Sequence, residues 1–584
     1  MYEYYSIQVQ ANSVQVQPTG FNKGTQPHQL DQIVLVNAAD LAEGAFACYY
    51  PPDSLEPQPL TTEYSAARQA LFIRPTGALK FSDVLNVYYG SANNGDINLC
   101  NQHTWNYNIV GGVPVYAGLK NINLNLTHMA GTLNNIAMSI GFFDTGIINV
   151  KWTWDNQEAS QRIPLPVPKN IVDTTPRDTS KIMDTLDKYI VITDMPFQIQ
   201  FRVQLTAKPE TILTIKGLVF DEYLNWVNVQ ANAMPAASED AFKGIFGLGE
   251  RATKDFFFKS GVYSMFTKDI DNPVENGKLP GKNNYGVHPF YMFKHAANSY
   301  VGVYHNLAQA QDWWIDNDFA SGNVSISTIA TGGLGDMYVI LSMQRPESII
   351  SKYHSIIGTP VLTPQWALGW NQCRWCYQNL GDVKTSMQGY IDNNIPLDTQ
   401  WADIDYMQDY QDFTYNQFDG AGGPGSFSGL PDFVNQLHTM NMKFVPIVDA
   451  GISYRPGQNY KAFDEGVKQD IFMKISGNTF VGKVWPNEAS YPDFFHPNAQ
   501  TYWSGQLDSF HQSVAFDGLW QDMNEASNFC NGICHHDPLV ASPVGYKLPY
   551  TPTGESLETK AISLDVAQVG GYTQLDAHSL FGTQ

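Results

Sequence analysis

The chain has 584 residues, more than one ordinary domain holds, and its 43% hydrophobic against 15% charged residues exclude a disordered polymer. Asp and Glu outnumber Lys and Arg 56 to 34, giving a formal charge of −22, which excludes a general nucleic-acid binder because such a protein needs a basic face. No run of about 18 apolar residues marks a transmembrane segment, and the opening MYEYYSIQVQ shows neither the basic nor the apolar part of a signal peptide.

The first ~340 residues read as mostly β. Ile122, Leu124 and Leu126 alternate with asparagines, and Val150, Trp152 and Trp154 alternate with polar partners. Phe197, Ile199, Phe201, Val203 and Leu205 alternate with Gln198, Gln200, Arg202 and Gln204, the period of a half-buried strand. Further strands are predicted at 211–220, 299–304, 324–329 and 337–342, with Gly, Asn and Pro turns between them. Many short strands with few helices predict antiparallel sheets packed as a sandwich. The stretch 346–358 has helical spacing and leads into a different pattern.

From about residue 362 apolar strands alternate with helices. Strands are predicted at 366–370, 398–404, 443–449 and 517–522, and helices at 381–394, 431–441 and 499–513. That alternation predicts a parallel α/β arrangement, interrupted by an insertion at about 455–500 that is rich in Pro, Gly and aromatics. A (β/α)8 barrel needs roughly 250 residues, and four strand units make half of one. The expected fold class is therefore all-β plus α/β: a β-sandwich region over 1–345 and an incomplete (β/α)8 barrel over 346–584. An open half-barrel exposes strand edges, so a C-terminal half or a second chain is expected to complete it.

Two segments combine carboxylates with aromatics, and a third is rich in aromatics. Gly518 to Cys530 carries Asp522 and Glu525 at the end of a predicted strand, the side on which barrel enzymes hold their substrates. On spacing alone, Asp522 equally reads as a helix cap or as the partner of a buried Arg. Gln400 to Asn416 carries Asp403 and Asp405, two apart and so expected on one strand face, as sugar-hydroxyl acceptors or as a capping cluster. Leu368 to Asn379 carries Trp375, and Trp485 lies in the insertion; either is a sugar-stacking platform or core. Cys373 and Cys376 have metal or redox spacing, but no second pair completes a zinc site, and no DxDxDG calcium loop occurs. Cys530 and Cys534 flank an Asn-Gly turn, as a disulfide or as two thiols.

These segments resemble glycoside hydrolase family 31, in the branch of the lysosomal and plant α-glucosidases and sucrase-isomaltase. Trp520-Gln521-Asp522-Met523-Asn524-Glu525 is similar to the family's W-x-D-M-N-E motif, and Gly247-Leu248-Gly249-Glu250 to its G-L-G-E. Asn284 to Phe290 resembles its N-x-Y-G-x-H-P-F region, Asp449 its third-strand Asp, and Asp576 to Gly582 the helix after the nucleophile strand. The resemblance implies a galactose-mutarotase-like sandwich and a retaining α-glucosidase with Asp522 as nucleophile. It implies a sugar pocket of Asp269, Trp375, Asp403, Ile447, Trp485, Trp520 and Met523, with Glu525 as structural support and no metal or organic cofactor. Cys376 stands where the family has Gly, and Gln521 where it has an aliphatic residue.

The family's acid/base Asp lies in a G-D-N motif, and that motif does not occur after Asp522. The chain is therefore expected to be inactive alone, with an α-glucoside oligosaccharide as substrate of the completed protein. A carbohydrate-binding pseudoenzyme and an α-xylosidase of the same family are the alternatives. The sequons Asn125-Leu-Thr and Asn323-Val-Ser, with the acidic balance, suit a lysosomal, vacuolar or secreted protein.

Overall fold

The structure is a computed structural model. It describes the strands within 5–128 as backbone, 136–154 except 144–145, then 188–193, 198–204, 209–220, 225–235 and 244–269 except 254. It further describes 283–418 except 297–298, 319, 334 and 343–344, then 425–534 and 557–582.

Residues 5–91 contribute a seven-stranded sheet of their own, built from short antiparallel ribbons such as Tyr5–Val9 with Ser13–Pro18. Two larger antiparallel sheets follow. One has eight strands, including Ile122–His128, Ile147–Trp154, Ser299–His305 and Gly335–Ser342; the other has seven, including Gln198–Gln204, Asn225–Asn232 and Asn323–Ala330. Alternating residues of both sheets form one core, with Trp152, Phe201, Val229, Tyr291, Phe293, Trp313 and Ile326 fully buried in it. This is the predicted sandwich, and burying each such side chain contributes about 1.5–3 kcal/mol.

The strand Gly335–Ser342 is buried along its whole length, although a sandwich strand ordinarily faces water on one side. The cause is helix α1 (Pro346–Ile357), which lays Ile349, Tyr353 and Ile356 over the outer face. Contact is close enough that a Cβ on Gly302 would lie 2.5 Å from Ile349 Cγ2.

Four parallel strands come next: β1 (Asn371–Gln372), β2 (Thr399–Ala402), β3 (Lys443–Asp449) and β4 (Trp520–Asp522). Helix α2 (Leu380–Asp392) and helix α3 (Leu430–Thr439) connect the first three. Helix α4 (Lys461–Lys468) and helix α5 (Ala499–Ser513) precede β4. Helix α4 lies inside the insertion and was not anticipated; the apolar faces of α4 and α5 meet around Phe463, Phe472 and Tyr502.

Two expectations need correction. The apolar run 366–370 is not a strand: Pro364 leads into a 3-10 turn over Gln365–Leu368, Gly369 ends it, and only Asn371 and Gln372 pair with β2. Asp403 and Asp405 do not share a strand face, because β2 stops at Ala402 and the chain turns into a 3-10 helix over Ile404–Tyr406.

Candidate active site

The C-terminal ends of β2, β3 and β4 gather the carboxylates. Asp522 ends β4 in register with Asp449 of β3. It does not cap a helix, since the residues after it form turns and its Oδ1 accepts from the Met523 backbone N–H at 2.8 Å. Asp403, next to β2, accepts from the N–H of Ile404 at 2.7 Å. Asp449 is buried, and its N–H donates to the carboxylate of buried Asp412 at 2.8 Å.

The electrostatics show how tightly these groups sit. Burial raises the pKa of Asp522, and the negative charge of Asp269 adds to that against the hydrogen bond from Met523. Asp403 is raised by burial and by Asp405 and Asp522. Asp449 is pushed well above the carboxylate range by burial and then by Asp412, Asp522, Asp403 and Glu525. Glu525, only 7% exposed, is pushed up to about 7 by burial, with Asp269 and Asp522 adding. Among the described residues no cluster of His, Cys, Asp and Glu is arranged to hold a metal ion.

Asp269 reaches this cluster from the sandwich. The loop before it is clamped to the barrel: Thr267 donates through Oγ1 to the Glu525 carbonyl at 2.7 Å, and its own carbonyl lies 2.8 Å from His578 Nε2. Phe266 stacks on the His578 ring at 4.2 Å. Burial lowers His578 to about 3, so the ring is neutral and donates to that carbonyl. The Tyr285 hydroxyl donates to Asp269 at 3.3 Å. Tyr285 belongs to the Asn284–Phe290 segment, which pairs with the Gly247–Glu250 segment through Glu250 N to the Gly286 carbonyl at 3.0 Å and Asn284 N to the Glu250 carbonyl at 3.0 Å. Gly247 is required there: at φ +128° a Cβ would lie 2.3 Å from the Phe290 carbonyl. Both motifs brace the loop that carries Asp269.

An aromatic wall borders the carboxylates. Trp375 is 56% exposed and lies 5.8 Å from Trp485, which meets Phe529 edge-on at 5.3 Å. Trp485 sits in the tight turn of a hairpin, Gly482–Val484 with Asn487–Ser490. The loop after Asp522 holds that hairpin: Asn528 Oδ1 accepts from Lys483 N at 2.9 Å, and Phe529 N donates to the Lys483 carbonyl at 2.7 Å. Cys530 and Cys534 form a disulfide that closes this loop. Trp375 is set by the next residue, since Cys376 turns left-handed at φ 71° and donates its N–H to Asp405 at 2.8 Å. Cys373 and Cys376 are free thiols.

Of the residues implied by resemblance, Asp269, Asp403 and Asp522 meet electrostatically, and Trp375 and Trp485 meet as rings. Trp520 is half-buried, 5.6 Å from Trp401, and Met523 is half-buried at φ 61°. Ile447 is fully buried on β3 in the barrel core, and its carbonyl accepts from the Tyr406 hydroxyl at 2.8 Å. Sequence reasoning passed over Tyr285, Asp412 and Phe529. The first and last lay inside quoted motifs, and only the fold shows which way they face.

The family model for the "Glycosyl hydrolases family 31 TIM-barrel domain" matches residues 360–584. The one for the "Glycosyl hydrolase 31 N-terminal galactose mutarotase-like domain" matches residues 137–313. The chain is 31% identical over 430 residues to an alpha-glucosidase of Hordeum vulgare, covering 72% of this chain and 46% of the relative. It is 35% identical over 416 residues to the lysosomal alpha-glucosidase of Rattus norvegicus, covering 70% and 40%. The chain thus spans less than half the length of these relatives. Among solved structures it shares the fold of the glucosidase II alpha subunit, with a TM-score of 0.63 at 20% identity, over 82% of this chain and 55% of that one. With sandwich and barrel each matched in chain order, and the carboxylates gathered where the parallel strands end, the chain belongs to glycoside hydrolase family 31.

Proposed function

We propose that this chain is the nucleophile-bearing part of a retaining α-glucosidase that releases terminal α-linked glucose from oligosaccharides or glucans. The observation that carries the reading is the half-buried Asp522 carboxylate at the end of β4, among Asp269, Asp403, Asp449 and Glu525 and beside the Trp375–Trp485 wall. Relatives at 31% and 35% identity named alpha-glucosidase support it.

In this reading Asp522 attacks the anomeric carbon while a carboxylic acid protonates the departing glycosidic oxygen. The resulting glycosyl ester is then cleaved by water, with the second group acting as base. Asp403 and Asp269 accept hydrogen bonds from glucose hydroxyls, and Trp375, Trp485, Trp520, Met523 and Ile447 shape the pocket. Glu525 is protonated near neutrality, yet it is buried and its backbone is tied to Thr267, so it supports Asp522 rather than meeting a leaving group. Retention needs a second carboxyl about 5–5.5 Å from the nucleophile, which we assign to a segment outside these 584 residues, on the same or another chain. We divide the chain into a sandwich region, 1–345, and a half-barrel, 346–584, with the insertion at about 455–500. Exposed Asn323 at the start of its strand suits glycosylation in a lysosomal, vacuolar or secreted protein.

The test is to supply the complementary half, treat with a 5-fluoroglucosyl fluoride inactivator and map the adduct. Label on Asp522 is expected; label on another residue overturns the reading. Paired aryl α-glucoside and α-xyloside substrates then separate glucose from xylose preference, and binding without turnover would mark a carbohydrate-binding role.

A further inference from the structure

A cavity of about 410 Å3, whose lining includes neither Trp375 nor Trp485, lies between the segment 408–414, the start of α4 and residues 506–510 of α5. Its size is within the roughly 300–1,000 Å3 of small-molecule sites. The wall is built from amides and hydroxyls, among them Gln408, Gln411, Gln458, Asn459, Thr414 and Ser509. The Thr414 hydroxyl is engaged by Gln408 N and the Gln411 carbonyl, and Ser509 Oγ accepts from Lys461, so the four amides are the groups that both donate to and accept from a ligand. That lining suits a neutral ligand dense in hydroxyl groups, which also both donate and accept. It suits poorly a phosphorylated ligand, because Lys461, the only cation among the lining residues, donates to Ser509 Oγ at 2.9 Å, and two carboxylates, Asp409 and Asp412, line the same cavity.

Two further observations point the same way. Half-buried Phe413, held edge-on against Trp503 at 5.3 Å, contributes a flat apolar surface of the kind a sugar ring covers. The cavity segments are also backbone-strained: Asp409, Tyr410 and Phe413 stand at φ 51°, 56° and 62°, and Asn459 at 58°. Asp and Asn take that conformation readily, but aromatic residues seldom do, so the strain falls on Phe413 of the lining and on its neighbour Tyr410, and such strain gathers at ligand clamps. The floor is rigid, because Asp412 is fixed twice, by the Asp449 N–H on its carboxylate at 2.8 Å and by the Tyr460 hydroxyl on its carbonyl at 3.0 Å.

We propose that this cavity is a second carbohydrate site that takes one neutral hexopyranose unit, backing onto the carboxylate cluster through Asp412 and sharing none of Asp269, Asp403, Asp522 or Glu525 with it. The proposal does not depend on the hydrolytic reading. It is tested on the full 584-residue chain by titration with D-glucose, followed by calorimetry and saturation-transfer NMR. An Asp403→Asn background disables the carboxylate site. Glucose is expected to saturate that variant, and adding Gln458→Ala with Asn459→Gly is expected to weaken binding by about tenfold, the loss of one or two hydrogen bonds. Both positions are exposed, and glycine accepts the left-handed backbone at 459, so the fold is retained. Ser509→Trp, which fills the cavity, should abolish the same binding. A chain with Asp403→Asn that no longer binds glucose, or binding indifferent to both cavity changes, overturns the proposal.

Discussion

Asp522 and Glu525 sit three residues apart, and their surroundings give them different work. Glu525 carries the larger burden of burial and titrates near 7, well above the 4.5 of an ordinary Glu. A raised carboxyl binds its proton more tightly in the folded chain than in the unfolded one, so stability falls as pH rises from 4.5 towards 7. Glu525→Gln should match the parent in urea midpoint near pH 4.5 and exceed it by about 2–3 kcal/mol at pH 8. Buried neutral His578, held to about 3, has the opposite sign, losing stability as pH falls below 6.5. It is common to both proteins, so the difference between their pH profiles isolates Glu525; parallel profiles would refute the assignment. Cys376 is a second single-residue case. At φ 71° it bears the steric cost of a Cβ that glycine lacks. Cys376→Gly should therefore raise unfolding stability by about 1 kcal/mol, while a drop would show that its thiol packs usefully.

At the scale of elements, the starts of β3 and β4 are joined by one side chain. Asp517, just before β4, accepts from the Phe444 N–H of β3 at 2.9 Å, from Lys443 at 2.9 Å and lies 2.8 Å from His438 of α3. Burial alone would raise its pKa, but those three partners outweigh it and hold the carboxyl below the ordinary range. The stability it contributes is present above the ordinary Asp pKa and is lost as pH falls through the depressed value. Asp517→Ala should cost about 2–3 kcal/mol in chemical denaturation at pH 7 and less at pH 3, which lies below the ordinary Asp value of 3.8. An equal cost at both pH values would mean that the charge is not what joins α3, β3 and β4. The hairpin bearing Trp485 is anchored in the same manner, by Asn528, which ties that side of the aromatic wall to the loop after Asp522.

For the whole molecule, the decisive feature is a parallel sheet of four strands whose outer members, β1 and β4, have no further strand partner among the described residues. Beside β1, Leu362, Leu368 and Trp370 are 94%, 74% and 56% exposed. Large apolar side chains exposed this close together in the chain, next to an edge strand, are expected to be covered. The 584-residue chain alone should show no turnover of maltose and should enhance the fluorescence of an apolar dye. Adding the complementary half should restore turnover and quench the dye signal together. Maltose turnover by the pure chain would sink the half-site reading.

Composition and periodicity reached far into the fold. Alternation at 198–204 and helical spacing at 346–358 survive because burial of every second, or every third and fourth, residue is a local rule that sequence displays directly. Where a local cue met a competing one it failed: the apolar run 366–370 begins at a proline-led turn, and the strand holding Asp403 stops one residue short of it. Asp522, Asp403, Trp375 and Trp485 were singled out by the resemblance of their segments to family motifs, since spacing alone left each open to a capping or core role. That the Thr267 loop brings Asp269 across from the sandwich, that Tyr285 turns to meet it, and that Asp412 stands behind Asp449 was decided by tertiary structure alone. Those contacts join residues more than a hundred apart or depend on side-chain direction, and no local pattern encodes either.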